Sequence, residues 1–104
     1  MEANKIIITG GATRIGAAIA KRLAGQGVEI VIHFNKSKSN AEKLKKELSK
    51  KQTKVYLVKG DLSKEPDVNK ILKFAKSKLK YFDCLINNAS LFENDKLENF
   101  STDS

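Results

Sequence analysis

The sequence predicts an α/β chain in which a parallel sheet carries helices on both faces, the first half of a doubly wound fold. Three observations lead there. Four short apolar runs, Ile6 to Thr9, Val28 to Phe34, Val55 to Val58 and Cys84 to Ile86, are each too short for a helix and suit strands buried on both sides. Between them, apolar residues recur at three-and-four spacing, the period of helices that bury one stripe. The order is therefore β-α-β-α-β-α-β, and right-handed crossovers turn that order into a parallel sheet.

Each element has its own local signals. After the first run comes "TGGATRIG", a glycine-rich turn, and then a helix whose stripe is Ile15, Ile19 and Leu23, closed by Gly25 and Gly27. The second helix shows Ala41, Leu44 and Leu48, with Ser39 or Asn40 as its cap. The third has Ser63 as N-cap, Pro66 tolerated in the first turn, and Val68, Ile71, Leu72, Ala75 and Leu79 on one face. The segment after Asn88, "ASLFENDKLENFSTDS", reads as a loop and a short helix start. The run centred on Leu85 is then expected to be an apolar edge with little covering it.

A length of 104 residues with 40% hydrophobic content fits one folding unit. No run of about eighteen apolar residues and no secretory leader is present, so a cytoplasmic, membrane-free chain is expected. The single cysteine, Cys84, has no second cysteine for a disulfide or a zinc site and reads as a small core residue; no metal is expected. The net charge of +8 is nearly all lysine, set largely opposite the apolar positions. Without an arginine cluster or interleaved aromatics this is a solvated helix surface, so no nucleic-acid partner is expected.

The chemistry concentrates at the strand ends. "TGGATRIG" places several backbone N–H groups and the positive end of a helix dipole at one point, a combination suited to a pyrophosphate. Gly10 allows the sharp turn, Gly16 lets the helix approach the sheet, and Thr13, Arg14 and Ile15 open the helix. About twenty residues on, where an adenine ribose is read, the chain has "IVIHFNKSKS". An acidic side chain there would repel a 2′-phosphate; Asn35, Lys36 and Ser37 instead offer donors and positive charge, which favours NADP(H). His33 reads as a satisfied structural imidazole within the strand. Asp61, in "KGDLS", either accepts from an adenine amino group or takes local backbone N–H groups ahead of Ser63. Asn87 and Asn88 end the last strand, where their amides can tie neighbouring strands together and shape a cleft.

Thr9-Gly10 with Gly16, Asp61-Leu62 and Asn87-Asn88-Ala89 together resemble the short-chain dehydrogenase/reductase family, in register from Lys5 to about Phe100. The resemblance implies a Rossmann domain, a nicotinamide cofactor and hydride transfer to a carbonyl or imine-like bond. Most members have glycine where this chain has Arg14, and glycine where it has Ser90. In both respects, and in "HFNKS" and "NNASLF", the chain is similar to the pteridine reductases and their bacterial relatives. That likeness implies that Arg14 lies by the cofactor phosphates and reaches a pterin, and that Lys36-Ser37 holds the 2′-phosphate. It further implies that Ser90 lines the nicotinamide pocket and that Phe92 stacks on the substrate ring.

Family catalysis requires Tyr-x-x-x-Lys, in which the lysine lowers the tyrosine pKa for proton transfer. Tyr56 is followed four residues later by Gly60 and Tyr81 by Leu85, so no catalytic residue is assigned within these 104 residues. The chain resembles the N-terminal part of a reductase of about twice its length or more. For the complete enzyme the expectations are a small carbonyl or pterin substrate and a homo-oligomer, dimer or tetramer. A ketone or 3-oxoacyl reductase of the same family, or a non-catalytic nucleotide-binding module, are the alternatives.

Overall fold

A computed structural model describes residues 4–88. The elements are β1 (Lys5–Thr9), α1 (Arg14–Leu23), β2 (Glu29–Phe34), α2 (Lys38–Ser49), β3 (Lys54–Lys59), α3 (Glu65–Leu79) and β4 (Cys84–Asn87). The sheet runs β3-β2-β1-β4, all pairs parallel, with Ile7 opposite Val31 and Leu85. The α/β class expected from the sequence is thus the one formed.

The continuous apolar runs are explained by the two faces they cover. Ile6, Ile8, Ile30, Ile32 and Val55 meet Ala20, Leu44 and Leu48, so α1 and α2 share one face. Ile7, Val31 and Val58 meet Ile71, Ala75 and Leu79, so α3 covers the other. Strand residues that alternate in direction are therefore apolar on both sides. Because the chain winds outward from β1 to β3 and then returns to place β4 on the opposite side of β1, the connections after β1 and β4 diverge across a crevice. In open α/β sheets this switch point, at the carboxyl ends of the strands, is where ligands bind.

Four local expectations are corrected. The buried side of α1 is Gly16 and Ala20 with Leu23 partly covered, while Ile15 is 65% exposed. Helix and sheet approach so closely here that small residues carry the contact. The cap of α2 is Ser37 rather than Ser39 or Asn40, and that of α3 is Lys64 rather than Ser63. Ser63 is diverted: its amide and hydroxyl both donate to Asp61 Oδ1, at 2.9 and 2.7 Å. Leu72, assigned to the buried face of α3, lies on its exposed side. Among the described residues β4 pairs only with β1, and Leu85 is 50% exposed, as an edge strand requires. Cys84 is half-buried against the core beneath α1 and α2.

Candidate functional site

The turn between β1 and α1 is built by backbone constraints before any ligand is considered. Gly10 has φ +66°, a left-handed conformation that glycine adopts without strain. A Cβ on Gly16 would collide with the Gly10 carbonyl and lie 2.7 Å from Gly11 Cα and 2.9 Å from Asn88 Nδ2. One on Gly11 would lie 2.7 Å from Ile32 Cγ2. The loop is thus pressed onto the helix and the sheet at once, and only glycine fits at either contact.

Thr13 secures the loop. Its hydroxyl donates to the Gly10 carbonyl at 2.8 Å and accepts from the Gly16 amide at 3.1 Å, capping α1. It also accepts from Asn88 Nδ2 at 3.0 Å, and the Asn88 amide bonds the Thr9 carbonyl at 3.1 Å. Thr9 Oγ1 donates to Asn87 Oδ1 at 2.8 Å. The two asparagines therefore tie the end of β4 to the loop across the crevice, the strand-linking role expected of their amides.

What this leaves open is a set of donors. The amides of Ala12, Arg14 and Ile15 have no acceptor among the described residues, and neither has the Arg14 guanidinium. At α2 the amides of Ser39 and Asn40 are equally uncommitted, and the Ser37 hydroxyl makes no capping bond. Asn35, Lys36 and Ser37 are exposed beside them, and neither helix has an acidic residue in its first turn. Thr13 and Arg14 also line a shallow groove between α1 and α2 with Asn40 and Lys43. This donor set suits the negative charge and acceptor oxygens of a dinucleotide: amides and arginine for a pyrophosphate, lysine and serine for a ribose phosphate.

Asp61 Oδ1 accepts from the Ser63 amide and hydroxyl, while its own amide donates to Asp67 Oδ2 at 2.7 Å. Leu62 packs partly buried beneath α3. Ala89, Ser90 and Phe92 lie outside the described residues. His33 is 2% exposed and joins two loops: its Nδ1 accepts from the Gly10 amide at 3.0 Å and its Nε2 donates to the Gly60 carbonyl at 2.7 Å. Burial pushes its pKa below the ordinary imidazole value, opposed by the Gly60 bond and the Asp61 charge. Sequence reasoning found this ring structural but missed its partners and missed Gly60. The available signal was that a buried imidazole must satisfy two nitrogens.

A parallel sheet with a glycine turn at its switch point, and amides there that have no acceptor among the described residues, has the architecture of the Rossmann class of α/β proteins. The family model for short chain dehydrogenases matches residues 4–104, and the chain belongs to that family. It is 33% identical over 89 residues, 85% of this chain and 82% of the relative, to the short-chain dehydrogenase/reductase homolog YusS of Bacillus subtilis (strain 168). Among solved structures, a short-chain dehydrogenase from Oenococcus oeni PSU-1 superposes with a TM-score of 0.76 at 33% identity, covering 98% of this chain and 49% of that one. FolM alternative dihydrofolate reductase 1 from Brucella suis, in complex with NADP, gives a TM-score of 0.73 at 37% identity, over 86% of this chain and 36% of that one. The chain thus spans most of YusS but half or less of these two enzymes.

Proposed function

We propose that the chain is the NADP(H)-binding part of a short-chain reductase whose substrate is a pterin. The observation that carries the cofactor reading is the end of β2: no acidic side chain, Lys36 and Ser37 exposed, and α2 opening with amides that have no acceptor among the described residues. A 2′-phosphate there would gain charge-assisted hydrogen bonds that a 2′-hydroxyl cannot. Arg14, Ile15 and Ala12 would hold the pyrophosphate, with Gly10 and Gly16 permitting its approach and Thr13 and Asn88 holding the loop. Asp61 and Leu62 would border the adenine, and Ala89 and Ser90 the nicotinamide side. The bound cofactor supplies a hydride; the residues of this chain bind and orient it.

The pterin assignment is supported by Arg14 and Ser90 in place of glycine and by likeness to the FolM structures. Arg14 has a planar guanidinium, uncommitted among the described residues, that can serve both a phosphate and a heteroaromatic ring. Phe92 would stack on that ring. A homo-oligomeric complete enzyme in the cytoplasm belongs to the same proposal; among the described residues no helix is long and apolar enough to cross a membrane. A non-catalytic nucleotide-binding module is the second reading, favoured by the match to most of YusS.

Fluorescence titration of the chain with NADPH and NADH tests the cofactor assignment. We expect NADPH to bind at least about tenfold tighter, the value of one charged hydrogen bond at its lower limit; equal affinities would contradict it. An assay with dihydrobiopterin separates the two readings. With no Tyr-x-x-x-Lys in these 104 residues, we expect the chain to bind NADPH without oxidising it, and turnover of about 1 per second would overturn that expectation.

A further inference from the structure

We propose that His33 is a positioning residue whose neutral ring sets the glycine-rich loop against the β3–α3 loop, so that cofactor affinity depends on the hydrogen bond it accepts from Gly10. The inference rests on the NADP(H) reading above and goes beyond it, because His33 itself touches no part of the donor set.

The geometry is a strut. At the end of β2 the His33 carbonyl accepts from the Gly11 amide at 3.0 Å and Nδ1 accepts from the Gly10 amide at 3.0 Å. On the other side Nε2 meets the Gly60 carbonyl at 2.7 Å, and the Gly60 amide bonds the Phe34 carbonyl at 3.1 Å. Two adjacent residues of β2 thus hold both flanking loops. A carbonyl can only accept, so Nε2 carries the proton, and an amide can only donate, so Nδ1 must be bare. The ring is fixed in one tautomer by partners 23 and 27 residues away.

Protonation breaks this arrangement at one end only. An Nδ1–H would face the Gly10 N–H, donor against donor, while the bond to Gly60 would persist. Gly10 begins the turn that aims the Ala12, Arg14 and Ile15 amides, so releasing it disperses the pyrophosphate donors. No titratable side chain lies on the loop from Gly10 to Thr13. On the β3–α3 loop and α3 the charged groups beside the Gly60 end are Asp61, whose charge favours the protonated ring, and Asp67, bonded to the Asp61 amide. Burial opposes them and keeps the ring neutral at physiological pH.

Two substitutions separate the ends of the strut. In His33→Asn the amide oxygen takes the place of Nδ1 and keeps the Gly10 bond; in His33→Gln the amide nitrogen reaches the place of Nε2 and keeps only the Gly60 bond. NADP⁺ affinity is measured by calorimetry for the wild-type chain and both variants, with melting temperatures recorded beside it. We expect His33→Asn to bind within about twofold of wild type near pH 7.5 and His33→Gln to lose about three- to tenfold, one neutral hydrogen bond.

As pH is lowered through the range in which the His33 ring takes up its proton, followed by ring NMR, the wild type should lose about three- to tenfold in affinity that His33→Asn keeps, a comparison that cancels titration of the ligand's own phosphate near pH 6. Equal losses in the two variants, or identical affinity profiles for wild type and His33→Asn across the titration of the wild-type ring, would overturn the proposal. Nitrogen NMR of the free chain supplies an independent reading: the Gly10 amide should titrate with the His33 ring. If it does while NADP⁺ fails to bind, the strut stands and the cofactor assignment falls; if the ring titrates without moving Gly10, the strut falls.

Discussion

All three helices begin at the same edge of the sheet, yet α1 and α2 differ from α3 in the charge that surrounds their first turns. The first turns of α1 and α2 contain no acidic residue, and amides of Arg14, Ile15, Ser39 and Asn40 have no acceptor among the described residues. The first turn of α3 contains Glu65 and Asp67, and Asp67 takes the amide of Asp61 while Asp61 takes that of Ser63. One helix start carries carboxylates that oppose its dipole; the other two carry none, as the proposed anion site requires.

The largest effect that would break this contrast comes from putting a carboxylate where none exists. Lys36→Asp should lower NADPH affinity by about one to two orders of magnitude, from loss of a charged hydrogen bond of roughly 1.5–3 kcal/mol, and leave NADH nearly unchanged. An unaltered ratio between the two cofactors, measured by fluorescence titration, would remove Lys36 from the site. Arg14→Gly should instead weaken both cofactors, because the pyrophosphate is common to them.

Gly16→Ala tests the approach of α1 to the loop. Its Cβ would meet the Gly10 carbonyl and Gly11, both backbone, so α1 must shift. We expect a loss of about 1–3 kcal/mol in denaturant unfolding, the usual cost of overpacking. A variant of full stability would show that the contact is looser than described.

Acid should act next. Burial depresses the His33 pKa in the folded chain, so below about 6.5, the ordinary imidazole value, the unfolded state takes up a proton that the folded state refuses. The contribution is complete above that pH and is lost as pH falls through the folded pKa. Melting curves of wild type and His33→Asn should converge over this window, and parallel curves would show that His33 is not the group responsible.

At α3 the expected effect is smallest. Asp67→Asn removes the dipole partner and weakens the bond to the Asp61 amide, for about 0.5–1 kcal/mol of stability and no change in cofactor affinity. A loss of binding in this variant would erase the distinction between the helix starts.

Much of this was legible in the sequence, because buried parallel strands leave continuous apolar runs and glycine turns leave short motifs. All four strands and three helices form where the pattern puts them. The face of α1 was not legible: periodicity weighs large side chains, and here Gly16 and Ala20 carry the contact while Ile15 is exposed. The Ser63 cap failed because Asp61, two residues away, captured the hydroxyl. The alternation of β4, with Leu85 outward, was hidden within a continuous run. His33 was recognisable as buried, but its partners across the sheet depend on strand order, which no local window contains.

The central claim is that the starts of α1 and α2, and not that of α3, form the NADP(H) site. Backbone-amide NMR during titration of the chain with NADP⁺, and separately with NAD⁺, tests it most directly. We predict that Ala12, Arg14 and Ile15 shift with both ligands, that Lys36 to Asn40 shift strongly only with NADP⁺, and that Glu65 to Val68 stay in place. Equal shifts of Lys36 to Asn40 with both ligands, or the largest shifts at the start of α3, would contradict it.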